Sequence, residues 1–248
     1  VNGLEPGAMS GRRDPLARRL ADRLRGFYGR EGAMWKAHYR KYFKAAARAF
    51  GIGFILGFAV FMLRPDLERR GLAYVMKSLQ DVSIGAPAPK MALELFYHNA
   101  RATALAVAAG TVPFACLPVI DPLANGAALG LLASVSKRRG FDVPLLFLRS
   151  VAPHAVFELP AVLYAASVGI YLSLCAGRWL LSAIRKRKKA RARGGEPPAA
   201  GFLKDHAGRT EPGPADFAGD AARSFVLVVL PLLLVAALVE AFVTRALR

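Results

Sequence analysis

Phe43 to Leu63 reads FKAAARAFGIGFILGFAVFML and is followed at once by Arg64-Pro65. No charged residue interrupts it after Arg48; Lys44 and Arg48 sit at its leading edge. A helix of roughly twenty residues rises about 30 Å, the thickness of a bilayer's hydrocarbon core, so the stretch predicts a membrane span. Gly51, Gly53 and Gly57 give it a small-residue face, and the Gly53-x-x-x-Gly57 spacing permits close helix approach. The glycines are not a dinucleotide fingerprint, because no strand precedes them and the spacing is wrong.

The same pattern continues outward. The chain has 248 residues, 54% of them hydrophobic, with a mean hydropathy of +0.32. Long apolar runs alternate with short basic stretches, as in membrane spans joined by loops. Net charge is +18 and the pI is near 10.7, values that invite a nucleic-acid reading. The Lys and Arg crowd against the ends of the apolar runs, where anionic lipid headgroups are the expected partner and nucleic acid is not. Cys116 and Cys175 both fall in predicted spans and read as small packing residues. No C-x-x-C pair or Cys/His ligand spacing occurs, so no metal or other cofactor is expected. The first apolar run starts near Phe43, which reads as an uncleaved signal anchor, with Met9 an alternative start residue.

Residues 1–42 form a basic segment. Within it Asp14 caps a helix opened by Pro15, and Leu16, Leu20, Leu24 and Phe27 make one apolar stripe. That helix either lies on an anionic leaflet or packs on the protein's own surface. After the first span at 43–63, residues 64–101 read as an extracytoplasmic amphipathic segment interrupted by Pro87 and Pro89. A core of 102–181 follows. It opens with a second span, Ala102 to Ile120, bent by Pro113 and Pro118; Asp121-Pro122 then turns into an apolar run, Leu123 to Ser136, that is short for a crossing. Val143 to Leu181 is too long for one straight span, and Pro153 and Pro160 divide it into a half-helix and a full span. Residues 182–224 combine the polybasic RKRKKARAR with a Gly/Pro/Ala-rich linker, and 225–248 hold the last span and a short tail. The fold expected is all-α, a polytopic transmembrane helical bundle of about five spans with a Pro-broken hairpin or half-helix. Five crossings place both strongly basic segments in the cytoplasm, in a bacterial inner membrane, and the C-terminus outside. Lys137, Arg138 and Arg139 then fall outside, against the charge rule.

Asn99, Arg101, Asn125, Arg149, His154 and Glu158 stand inside or beside apolar helices, where ionisable groups are expensive and find partners. His154 and Glu158, four apart, share a helical face. Three readings compete: structural pairing, with Glu158 accepting from Arg101, Arg149 or His154; a proton or substrate relay; and a metal site, weakened by having only two ligands at suitable spacing. Nucleophile-elbow, P-loop, kinase and zinc-protease signatures are missing, so no enzymatic activity is expected.

The run Pro153-His154-Ala155-Val156-Phe157-Glu158-Leu159-Pro160-Ala161, followed by Ala165-Ala166 and Gly169, resembles the signature of the stage II sporulation protein M (SpoIIM) family. Upstream, Phe96-Tyr97-His98-Asn99-Ala100-Arg101 with Gly110 is similar to that family's Asn-x-Arg entry to a span, and Asn125-Gly126 with Gly130 to its N-G-x-x-x-G element. Order and spacing agree across residues 94–181; Ala155 departs from the family's usual Gly. The resemblance implies a multi-pass inner-membrane protein and singles out Asn99, Arg101, Asn125, Gly126, His154, Glu158 and Pro160. The family's namesake is a membrane scaffold that joins cell-wall-degrading partners during engulfment, and members also occur in organisms that do not sporulate. Nothing else in this chain points to sporulation. The expectation is a scaffold or envelope-remodelling component that works with protein partners or as a homo-oligomer. The alternative is a transporter- or permease-like subunit, favoured by Pro-interrupted helices beside intramembrane charge.

Overall fold

The computed structural model describes residues 15–83, 85–114, 117–192 and 213–247. The chain divides into two units, Val1–Ala37 and His38–Arg248. In the first, α1 spans Pro15–Met34, and Leu24 and Phe27 of its apolar stripe are exposed. The expected Asp14 cap lies outside the described residues.

All regular structure among the described residues is helical. The second unit contains α2 (Arg40–Leu63), α3 (Glu68–Ser78), α4 (Ala88–Ala109), α5 (Leu117–Arg138), α6 (Val143–Ser150), α7 (Ala152–Ala192), α8 (Pro214–Ser224) and α9 (Leu230–Leu238). π-helical stretches Phe225–Val229 and Val239–Val243 flank α9. Four described helices are long and apolar enough to cross a membrane: Asp22–Leu63, Leu117–Arg138, Ala152–Ala192 and Ala215–Val243. The 22 residues of α4 span about 33 Å, a sufficient length, but Lys90, Glu94 and Arg101 make it less apolar.

Named contacts fix the helix directions. Gly53 of α2 meets Leu123 of α5, and Gly57 meets Ala127, so these two helices run parallel. Their backbones touch: a Cβ on Gly53 would lie 2.9 Å from the Leu123 carbonyl carbon, and one on Gly126 2.9 Å from the Phe54 nitrogen. Tyr39 stacks edge-on against Tyr164 and Tyr171, while Phe50 lies near Leu159, so α7 opposes α2. Asn99 faces Glu158 and Gly110 faces Gly169, so α4 runs with α7. Ser224 pairs with the Tyr39 hydroxyl at 3.1 Å and Ala241 packs with Met91, so the last helical segment runs with α2. The order α2, α4, α5, α7, α9 therefore alternates in direction, an all-α bundle with five helices side by side among the described residues.

Several helix limits differ from those read in the sequence. The expected span Ala102–Ile120 is two helices: α4 ends at Ala109 and α5 begins at Leu117. Pro113 supplies no N–H in the intervening turn, and Phe114 adopts a left-handed φ of 58°. The helix through Asn99 and Arg101 starts at Ala88, so a boundary at residue 101 falls inside it. Asp121-Pro122 is helix rather than turn, and it lengthens the short run Leu123–Ser136 into a 22-residue helix. Within Val143–Leu181, a short α6 precedes the long α7. The break falls at Val151: Pro153 lies in the first turn of α7, and Pro160 is carried inside it. Of the expected linker, Pro214–Ser224 is helical and residues 194–212 lie outside the described residues.

The basic triplet after α5 has a structural use. Arg138 donates to the Phe61 carbonyl at 2.5 Å, satisfying a carbonyl in the last turn of α2, and also pairs with Glu68 of α3. Arg139 lies 3.3 Å from the same carboxylate. Nearby, Arg64 grips Asp66 through two hydrogen bonds of 3.0 and 2.9 Å, which hold that exposed carboxyl below its usual range.

Candidate functional site

Glu158, two turns into α7, is the hub of the site. Asn99 of α4 donates through Nδ2 to Glu158 Oε1 at 3.2 Å. His154, one turn earlier on α7, places Nε2 3.9 Å from Glu158 Oε2. Its other ring nitrogen, Nδ1, is 2.5 Å from Glu240 Oε2 and 3.4 Å from Thr244 Oγ1. The imidazole thus stands between two carboxylates, and the chain Asn99–Glu158–His154–Glu240 links three helical segments. The polar atoms are partly withdrawn from solvent: side-chain exposure is 17% for His154, 33% for Glu158 and 14% for Glu240.

The four-residue spacing of His154 and Glu158 in the sequence signature explains part of this geometry. A helix turns about 100° per residue, so His154 and Glu158 fall on one face. Pro160 lies two residues further along that helix and does not break it. Thr103 donates to the Asn99 carbonyl at 2.7 Å, occupying a backbone oxygen on the same turn of α4.

The structure separates other residues that the sequence grouped together. Arg101 is exposed and faces a second groove, away from Glu158; two residues from Asn99 is about 200° of helical rotation, so the two cannot share a face. Arg149 is exposed on α6. Of the three donors expected for Glu158, His154 is therefore its neighbour, and Arg101 and Arg149 are not. Asn125 hydrogen-bonds to Asp121 one turn back on α5 and lines a cavity of about 190 Å³ with His154 and Glu158. Gly126 serves packing, because a Cβ there would strike the Phe50 carbonyl.

Two members of the site escaped the sequence reading. Glu240 and Thr244 come from the far end of the chain, and Thr244 is fully buried. A signal was present: Glu240 is the one charged residue in the run from Phe225 to Val243, and an acid in such a run is a functional-site candidate by default. It sits in the Val239–Val243 π-helical stretch, a local widening found often at functional sites.

Among the described residues no group of three His, Cys, Asp or Glu side chains is arranged to hold a metal ion. No curated protein and no solved structure matches this chain. The family model for stage II sporulation protein M matches residues 46–245, which takes in every helix of the bundle and the Glu240 that completes the polar chain. The chain is a helical membrane protein, and it belongs to the stage II sporulation protein M family.

Proposed function

We propose that this protein is a non-enzymatic scaffold of the bacterial inner membrane, organising partner proteins or further copies of itself through the outer faces of a rigid bundle. The observation that carries this reading is the Asn99–Glu158–His154–Glu240 chain, whose polar groups are spent on one another across α4, α7 and the last helix. Buried polar networks of this kind fix which helices meet and in what register. Thr244, the hydroxyl nearest His154, is fully buried and out of reach of a substrate, which supports the non-enzymatic reading. The orientation proposed puts the start of α2 and the polybasic end of α7 in the cytoplasm. Arg40, Lys41 and Lys44 lie at that end, and so does Arg185–Arg191, carried beyond the apolar part of a 41-residue helix about 62 Å long. The Lys137–Arg139 triplet counts against this orientation, but Arg138 and Arg139 are engaged by Glu68.

Photo-crosslinking in intact membranes from the exposed positions Ile55 and Leu56 tests the scaffold. Discrete protein adducts, lost when the bundle is unfolded before irradiation, are expected; adducts to lipid alone would sink the reading. The cavity beside Asn125, His154 and Glu158 supports the second reading, a transporter or permease-like subunit. Proton uptake by reconstituted vesicles under an imposed pH gradient, abolished in Glu158→Gln, would favour that alternative.

A further inference from the structure

The second groove lies along α4, away from the Glu158 hub. It holds about 320 Å³, at the lower end of small-molecule sites, and is lined by Asp81, Leu93, Glu94, Tyr97, His98 and Arg101. Glu94 is already engaged: it accepts from the Ser83 amide at 2.7 Å and lies 3.8 Å from Lys90. Asp81 and Arg101 are both exposed, and neither has a hydrogen bond or ion pair among the described residues. Two opposite charges therefore face one groove without closing on each other. A ligand that carries both charges can bridge them through charge-assisted hydrogen bonds.

The apolar residues beside these charges narrow the ligand. Leu93, Tyr97, Arg101 and Leu105 recur every four residues, forming one stripe on α4. Leu93, Tyr97 and Leu105 are 67%, 67% and 61% exposed, a surface suited to hydrocarbon rather than water. Glu94 holds the Asp81–Ser83 loop against the N-terminal half of the helix. Asp81 lies in that loop, ahead of α4, and Arg101 and then Leu105 follow along the helix, so an acid, a guanidinium and a leucine come in that order. That order matches the ammonium, phosphate and acyl chain of an aminophospholipid.

We propose that this groove binds one phosphatidylethanolamine molecule, with Arg101 donating to the phosphate, Asp81 accepting from the ammonium, and Tyr97 and Leu105 lying along the glycerol and acyl chain. A planar guanidinium suits a phosphodiester, and charge-assisted hydrogen bonds at both ends select a primary ammonium over a quaternary one. The site is independent of the scaffold reading, because none of its residues touches the Glu158 network.

Native mass spectrometry of the full chain, stripped of lipid and given equal amounts of dioleoyl phosphatidylethanolamine, phosphatidylcholine and phosphatidylglycerol, tests it. Wild-type protein is expected to retain phosphatidylethanolamine over phosphatidylcholine by about tenfold, the worth of one charge-assisted hydrogen bond. Arg101→Gln should lose retention of both phosphatidylethanolamine and phosphatidylglycerol, whereas Asp81→Asn should remove only the preference for the ethanolamine lipid. Soluble glycerophosphoethanolamine at matching concentration should compete poorly. Equal retention of the three lipids, retention of phosphatidylglycerol above phosphatidylethanolamine, full competition by the soluble headgroup, or an unchanged Arg101→Gln would each overturn the proposal. Should Arg101→Gln fail to fold, the wild-type lipid series and the exposed Asp81→Asn variant still decide.

Discussion

Replacing Gly57 by Ala should loosen the bundle at its tightest seam. A Cβ at this position would lie 2.8 Å from the Ala127 Cα and 3.0 Å from its carbonyl carbon, besides meeting the Ala127 carbonyl oxygen. Carbon atoms prefer a separation of about 3.5–4.0 Å, so α2 and α5 must part by about 1 Å. The obstacle is backbone, which has no rotamer to change. Overpacking of this kind costs about 2–3 kcal/mol, and Ala returns up to about 1 kcal/mol of helix propensity, leaving a net loss of about 1–2 kcal/mol. Gly51 provides the control, since nothing lies within 4 Å of a Cβ there. Gly51→Ala should be neutral or stabilising. Gly53→Ala should resemble Gly57→Ala, and the double variant should lose less than the sum, because parting the helices once relieves both clashes. Titration of mixed micelles with a denaturing detergent, followed by far-UV circular dichroism, measures these differences. Equal stability of Gly57→Ala and wild type, or greater damage from Gly51→Ala, would refute a backbone-to-backbone seam.

The polar chain makes further demands on the same assay. Glu158→Ala should destabilise the bundle by about 1–3 kcal/mol, leaving Asn99 without its acceptor and His154 without one of its two neighbouring carboxylates, while Glu158→Gln retains the hydrogen bond from Asn99. If both variants match wild type, the network does not hold the helices. A double-mutant cycle on His154→Ala and Glu240→Ala should give a coupling of about 0.5–3 kcal/mol, whereas strict additivity would mean that the two do not interact. Arg138→Ala should free the Phe61 carbonyl and leave Glu68 held by Arg139 alone, so hydrogen exchange at the end of α2 and in α3 should quicken; unchanged exchange there would remove the capping role.

Apolarity is a local property, so the sequence alone located the membrane-crossing material: the Phe43–Leu63 run, the apolar stretch of α7 and the last span were all legible from composition and length. Spacing also went far. Gly53-x-x-x-Gly57 marked a close-packing face, and the four-residue interval of His154 and Glu158 put both on one side of a helix. Periodicity even contained a warning that Asn99 and Arg101 face apart, since two residues are more than half a turn. Prolines were less informative. Pro113 interrupts a helix and Pro122 and Pro160 do not, because neighbouring helices decide whether a missing backbone hydrogen bond is tolerated.

Pairing between distant segments is what the tertiary structure decided. Nothing in the order of residues says that Gly57 meets Ala127, that Asn99 claims Glu158 ahead of two arginines, or that Glu240 reaches His154 from 86 positions away. A helix fixes the directions of its own side chains through local geometry. Which face of another helix each one meets depends on the packing of the whole bundle, where a glycine admits a backbone and a buried acid takes whichever donor lies within reach.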